Sequence, residues 1–328
     1  MRLALLVASI LLLSSGLMAA QAPQAAISNG VIQAKLFLPD PEQGYYRGTR
    51  FDWSGVISSL QYKGHEYFGQ WFENYDPKIH DAITGPVEEY LTNEAGLGYD
   101  EAKTGGTFVR IGVGVVRKPE EKAYRRFETY EIVDTGKWGV KKGVDWIEFT
   151  HELKDSSGYA YVYTKKVRLV QSRPQLVLEH ALRNTGKRRI ETRQYNHNFF
   201  VIDQQPTGPD FVVKFPFDVR AKEEMKGMAK VGGRVLEYLS ELEKGQSVFT
   251  DLEGFGTDSG DYDLRIENRK VGAAVRITGD QPLVKLYFWS IRRTLCPEPY
   301  IQLKIAPGQT AKWKIGYEFY TTPSTSAH

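Results

Sequence analysis

Cysteine is nearly absent from this chain of 328 residues. Cys296 stands alone, so no disulfide can close within one molecule. Stability must then come from a packed core rather than from cross-links. The thiol itself reads either as a small buried hydrophobe or as a reactive group beside Glu298. Strong charge of one sign is also missing. Lys and Arg number 43 against 40 Asp and Glu, a formal net charge of +3. The run Lys118–Arg126 mixes both signs, as a solvated loop or strand edge does. Arg188 and Arg189 follow a turn at Asn184-Thr185-Gly186-Lys187. Neither cluster has the density or aromatic interleaving of a nucleic-acid stripe, so no nucleic-acid partner is supported.

Three chemical signatures are missing as well. A Gly-rich phosphate loop and a Gly-x-Ser-x-Gly elbow are both absent, which argues against nucleotide cofactors and serine-hydrolase chemistry. His65, His80, His151 and His180 show no ligand spacing with Cys or carboxylates, so no metal and no other cofactor is expected. Long apolar runs are limited to the N-terminus. Met1 to about Ala22 reads as a secretory signal peptide: Arg2 is the charged start, Leu3–Leu13 the apolar core, and Ala19, Ala20 and Ala22 offer cleavage sites. The run is short for a membrane span, which takes about 20 residues. The expectation is an exported protein, periplasmic or secreted, with no membrane attachment after cleavage.

What the chain does contain is β-forming sequence. Tyr, Phe, Trp, Val, Ile and Thr are abundant, with Gly-containing turns at short intervals. In Trp313–Phe319 the odd positions are apolar and the even ones polar or small, which places one face in a core and the other toward water. Residues 145–152 and 159–169 behave similarly. The break at Ser172-Arg173-Pro174 separates two further strands. Helical signal is thin, with two or three turns expected over Val235–Lys244 and a short one over Ala221–Ala229. Residues 23–328 are expected to form a single domain of two packed antiparallel sheets.

Two segments carry the functional signal: Arg193-Gln194-Tyr195-Asn196-His197-Asn198-Phe199-Phe200 and Leu295-Cys296-Pro297-Glu298-Pro299-Tyr300. With the strand ending in Asn184-Thr185-Gly186, the Pro307-Gly308 turn, the Tyr317-Glu318-Phe319 strand and the opening segment from Tyr46 to Leu60, the chain resembles the aldose 1-epimerase (galactose mutarotase-like) superfamily. The resemblance implies an all-β fold, a large antiparallel β-sandwich (supersandwich) with a few short helices. It implies interconversion of sugar anomers, with Glu298 as base, His197 as acid and an arginine of the opening segment on the sugar. The family's His-Gly-Gly element has no counterpart. Gly85-Pro86-Val87-Glu88-Glu89-Tyr90 stands in that region, which points to a divergent branch with a different sugar or with lost activity.

Opening a sugar ring needs a base at the anomeric hydroxyl and an acid at the ring oxygen. Glu and His suit this because they titrate near ~4.3 and ~6.5 when unperturbed. Arg50 and Arg47 are candidates for sugar hydroxyls or an acidic sugar's carboxylate, or else cover apolar surface. Glu88 and Glu89 fall where the family's second histidine would stand; one of them, Glu88 first, is a candidate for a hydroxyl pair, or both are solvated loop carboxylates. Tyr195 shares a face with His197 if the segment is extended. Trp71, Trp53, Phe72, Tyr75 and Trp289 are candidate stacking surfaces, though most must be core. Three readings stay open on these residues: a sugar epimerase, a non-catalytic carbohydrate-binding protein, and a lyase on acidic sugars using Tyr195 and His197. A mono- or oligosaccharide is the expected partner in each. Oligomeric state is not readable.

Overall fold

The computed structural model describes residues 22–325; the signal-peptide expectation lies outside them. The architecture is an all-β, galactose mutarotase-like sandwich whose paired strands run antiparallel throughout. A ten-stranded sheet includes, side by side, Ala273–Gly279, Thr310–Thr321, Gln175–Asn184, Ala160–Leu169 and Trp146–Lys154. A six-stranded sheet runs Arg220–Ala221, Ser247–Glu253, Lys285–Ile291, Thr294–Ile305, Ile190–Phe199, Gly85–Leu91. Two smaller sheets of four and three strands complete it. Leu178, Val275, Ile277 and Phe319 of the large sheet share one apolar core with Leu286, Phe288 and Leu303 of the six-stranded one.

The expected alternation is present. In Thr310–Thr321, Trp313, Ile315, Tyr317 and Phe319 are buried and the residues between them more open. The Ser172-Arg173-Pro174 break joins the Ala160–Leu169 and Gln175–Asn184 strands. Neither expected helix is present: residues 222–228 run through bends and a turn between two short strands, and the Val235–Lys244 segment begins as the strand Val235–Tyr238. Ala229–Gly232 and Val235–Tyr238 form a hairpin around Gly233, whose φ of 55° suits the turn. Leu236 and Tyr238 point inward at a spacing of two, a pattern that a short apolar segment shares with a helix. The helical elements of the described residues are two 3-10 turns, Ile202–Gln204 and Ser259–Asp261.

Strand periodicity also sends charge into the interior. Lys165 and His180 occupy inward positions on neighbouring strands and pair across the ladder. Glu88 reaches them from the facing sheet. It is not a loop residue but the fourth residue of the Gly85–Leu91 strand, and no part of it is exposed. Its carboxylate accepts from Lys165 Nζ, from His180 Nε2 at 2.9 Å and from Asn196 Nδ2 at 3.2 Å. Lys165 Nζ also donates to the Ser54 carbonyl at 2.9 Å. Tyr163 donates to Asp52 at 2.9 Å. This polar spine ties both sheets to the Asp52–Ser54 segment. Burial pushes the Glu88 carboxyl up, but Lys165 and His180 more than reverse it, to about 2.

Removing one partner of such a pair leaves an uncompensated buried charge. Lys165→Ala is therefore expected to cost about 3–5 kcal/mol in denaturant unfolding. A loss below about 1 kcal/mol would show that the pair contributes no such constraint.

Candidate active site

The outer face of the six-stranded sheet forms the floor of a cavity of about 520 Å³, within the range of small-molecule sites. Alternation sets which side chains reach it. Phe199, His197 and, deeper, Tyr195 face this side from Ile190–Phe199. Trp289, Tyr287 and Lys285 do so from Lys285–Ile291, and Glu298 and Tyr300 from Thr294–Ile305. Arg50 approaches from the opening segment, Trp71, His80 and Asp81 from the irregular stretch before the Gly85–Leu91 strand, and Arg126 and Phe127 from a loop.

His197 and Glu298 meet where a ladder is interrupted. The two central strands pair from Ile190↔Ile305 to Tyr195↔Tyr300, then resume only as a bridge at Phe200↔Leu295. Pro297 and Pro299 fall in the gap and have no N–H to donate. The Asn198 side chain takes over, donating to the Pro297 carbonyl at 2.8 Å and accepting from Tyr317 at 2.7 Å. Within this gap His197 Nε2 lies 3.2 Å from Glu298 Oε1, and each side chain is at most 5% exposed. Tyr300 donates to the second Glu298 oxygen at 3.2 Å.

The imidazole is boxed by rings. It stacks on Phe199 at 3.9 Å and meets Trp289 and Phe51 edge-on at 5.5 and 5.7 Å. Trp71 stacks on Phe199 at 4.8 Å, and its indole donates to the Ile83 carbonyl at 2.9 Å. Burial in this dry box, with Arg50 and Arg126 nearby, holds the His197 pKa well below its ordinary value. Burial raises Glu298 to about 7, against the pull of the same two arginines. The ordinary order of the two groups is thereby inverted, and the proton of the pair rests on Glu298. Burial likewise pushes the Cys296 thiol up, so it behaves as core rather than as a nucleophile.

Beneath the cavity lies Glu89, with no exposed surface. Arg50 Nε reaches it at 3.0 Å, Arg110 Nη2 at 3.2 Å and Arg126 Nη2 at 2.7 Å. The Tyr195 hydroxyl donates to the same carboxylate and accepts from Arg126 at 2.6 Å. Burial raises the Glu89 pKa, but the three guanidiniums hold it well below the carboxylate range.

The structure thus brings together Glu298, His197, Arg50 and Trp71 at one cavity. Tyr195 shares the face but is fully buried among the guanidiniums beneath it. Glu88 points to the opposite side of its strand, into the sandwich. Arg47 does not line the cavity; its backbone N–H bonds the Pro77 carbonyl at 2.7 Å. Of the other aromatics, Trp289 lines the cavity, whereas Trp53 stacks on Trp138 and Tyr75 on Tyr45. Arg126, His80 and Tyr300 were not singled out from sequence as site residues, and Glu89 was weighed only with Glu88 as one of a pair that binds hydroxyls or is solvated. Tyr300 follows Glu298 by two positions and could have been found by period alone.

No family model and no curated protein matches the chain. Solved structures do match its fold. An aldose epimerase homologue from C. elegans superposes with a TM-score of 0.57 at 14% identity, covering 92% of this chain and 99% of that one. A galactose mutarotase-like protein from Clostridium acetobutylicum gives 0.57 at 13% identity, over 93% and 97%. A galactose mutarotase related enzyme from Lactobacillus acidophilus gives 0.55 at 13%, over 92% and 98%. At such identities the likeness is one of fold.

The inverted pKa of Glu298 has a stability consequence. A carboxyl raised in the folded state binds its proton before the unfolded chain does, so its burial costs stability as pH rises from about 4.5 through 7. Glu298→Gln is expected to be more stable than wild type at pH 8 by about 1–3 kcal/mol and nearly equal at pH 4.5. Equal stability at both pH values would contradict the raised pKa. Glu89→Gln goes the other way. Its carboxyl is depressed, so its contribution is present above about pH 4.5 and lost as pH falls. The variant should unfold about 3–5 kcal/mol more easily at pH 7, with a smaller difference at pH 3.

Proposed function

We propose that the protein is an exported aldose 1-epimerase-like isomerase that interconverts sugar anomers with Glu298 and His197. The observation that carries this reading is the 3.2 Å His197–Glu298 contact on the floor of an aromatic-walled cavity. The fold likeness to aldose epimerase and galactose mutarotase-like structures supports it. A flat sugar face suits Trp71 and Trp289, and the cavity volume suits a sugar residue.

The inverted pKa order sharpens the roles. A carboxylate whose pKa is raised is a stronger base than usual, and an imidazolium whose pKa is lowered is a stronger acid. The pair holds one proton below about pH 7. Shifting it from Glu298 to His197 produces the reactive arrangement without change of net charge. Glu298 then accepts the proton of the anomeric hydroxyl while His197 gives its own to the ring oxygen. The C1–O5 bond breaks, the open aldehyde rotates about C1–C2, and closure with the roles reversed gives the other anomer. Protons balance at each step, and the pair returns to its starting state. Tyr195 lies too deep to act as the proton donor of a lyase.

Activity should therefore fall as pH rises through about 7, where the pair loses its single proton. Glu298→Gln should lower anomer exchange by about 10²–10⁴-fold while the sugar still binds. Saturation-transfer NMR on a panel of aldoses and uronic acids reads both. Activity that climbs through pH 7, or exchange that survives Glu298→Gln, would overturn the assignment. Binding without exchange in the wild type would favour the carbohydrate-binding protein. The mass of the mature N-terminus, measured on exported protein, tests the leader assignment.

A further inference from the structure

The guanidiniums around Glu89 outnumber what that carboxylate can satisfy, and the surplus faces the cavity. Arg110 is consumed internally: Nε donates to the Thr49 carbonyl, Nη1 to those of Tyr90 and Ala95, and Nη2 to Arg50 O and Glu89. Those five bonds match its five donors. Arg50 and Arg126 are different. Arg50 uses Nε and Nη2 on Glu89 and Tyr195, and Arg126 uses Nε and Nη2 on the same two groups. Among the described residues no hydrogen bond engages Nη1 of either arginine. Both side chains line the cavity. Glu89 is saturated by three guanidiniums and a phenol and has nothing further to accept with.

The charge count points the same way. Three arginines face Glu89 and, at the cavity wall, Asp81, which already pairs with His80 at 3.3 Å. Lys285 also lines the wall and is matched by Asp251 at 3.0 Å. With Glu298 protonated, as it is below about pH 7, the three arginines outnumber Glu89 and Asp81 and a net positive charge remains at the cavity. Neutral hydroxyls would not require it. An anionic substituent would take the two open guanidinium edges in paired hydrogen bonds.

We propose that the sugar taken by this cavity is acidic, its carboxylate or other anionic substituent held jointly by Arg50 and Arg126. The inference rests on the sugar-processing reading of the same site but makes a separate claim. Phe127, 60% exposed at the mouth, lies under the Arg50 guanidinium at 5.1 Å and leaves an apolar edge beside the anion for the ring carbons.

The experiment compares binding and anomer exchange for galacturonate and glucuronate against galactose and glucose, at low and high salt. Galactose 6-sulfate and glucose 6-phosphate serve as alternative anions. The acidic sugars should bind about tenfold more tightly than their neutral parents, with the margin shrinking as salt rises. In Arg126→Gln the acid-to-neutral affinity ratio should fall toward one, and Arg126→Lys should restore part of it. A sulfate or phosphate bound more tightly than the uronates upholds the anion site and names its occupant. Equal affinity for acid and neutral sugars in the wild type, or a salt-independent preference, overturns the proposal without needing any variant to fold. Exchange of neutral hexoses with no acid preference leaves the epimerase reading standing and the acidic-sugar inference refuted. Tight uronate binding without exchange does the reverse.

Discussion

Two consecutive carboxylates on one strand organise this molecule. Glu88 and Glu89 are adjacent in the Gly85–Leu91 strand, and the period of two sends them to opposite faces. Glu88 points into the sandwich and joins Lys165 and His180 of the facing sheet. Glu89 points outward and gathers Arg50, Arg110 and Arg126 under the cavity. A buried ionised carboxylate is costly unless paired and hydrogen-bonded, so each of them dictates where its cations must sit. The same strand pairs with Ile190–Phe199, with Tyr195 opposite Glu89 and His197 opposite Val87. The imidazole of the site is therefore placed by the same strand pairing that places the charges.

The surroundings of the His197–Glu298 pair then determine its chemistry. Aromatic rings exclude water from the imidazole, and nearby guanidiniums oppose any further positive charge there. Burial acts on Glu298 in the opposite sense, because it penalises the charged form of either group. A neutral histidine and a protonable carboxylate near pH 7 follow from one cause. The ladder is broken at Pro297 and Pro299, and in the gap the Asn198 side chain donates to the Pro297 carbonyl.

Much of this was legible in the residues, and the failures have physical reasons. Alternation in Trp313–Phe319 marked a half-buried strand because period two has no competing explanation over seven residues. Val235–Tyr238 was misread because four apolar-rich residues fit a helix as well as a strand. Glu88 and Glu89 looked like solvated loop charges, since nothing local reveals that Lys165 and His180 wait on the facing sheet. Arg126 sits in a run of mixed charges that reads as surface. Only the fold brings it to Glu89, 37 residues away in sequence. His80, set aside for lack of ligand spacing, reaches the cavity wall for the same reason. Local periodicity identifies strands and faces, whereas long-range ion pairs need the sheet order.

The chemistry of the site turns on where the proton of the His197–Glu298 pair resides. Carbon-13 shifts of the Glu298 side-chain carboxyl and nitrogen-15 shifts of the His197 ring, followed together across pH, locate it directly. The expected result is a Glu298 titration near 7 with a neutral imidazole persisting well below pH 6.5. An imidazolium beside an ionised Glu298 in mildly acidic solution would contradict it.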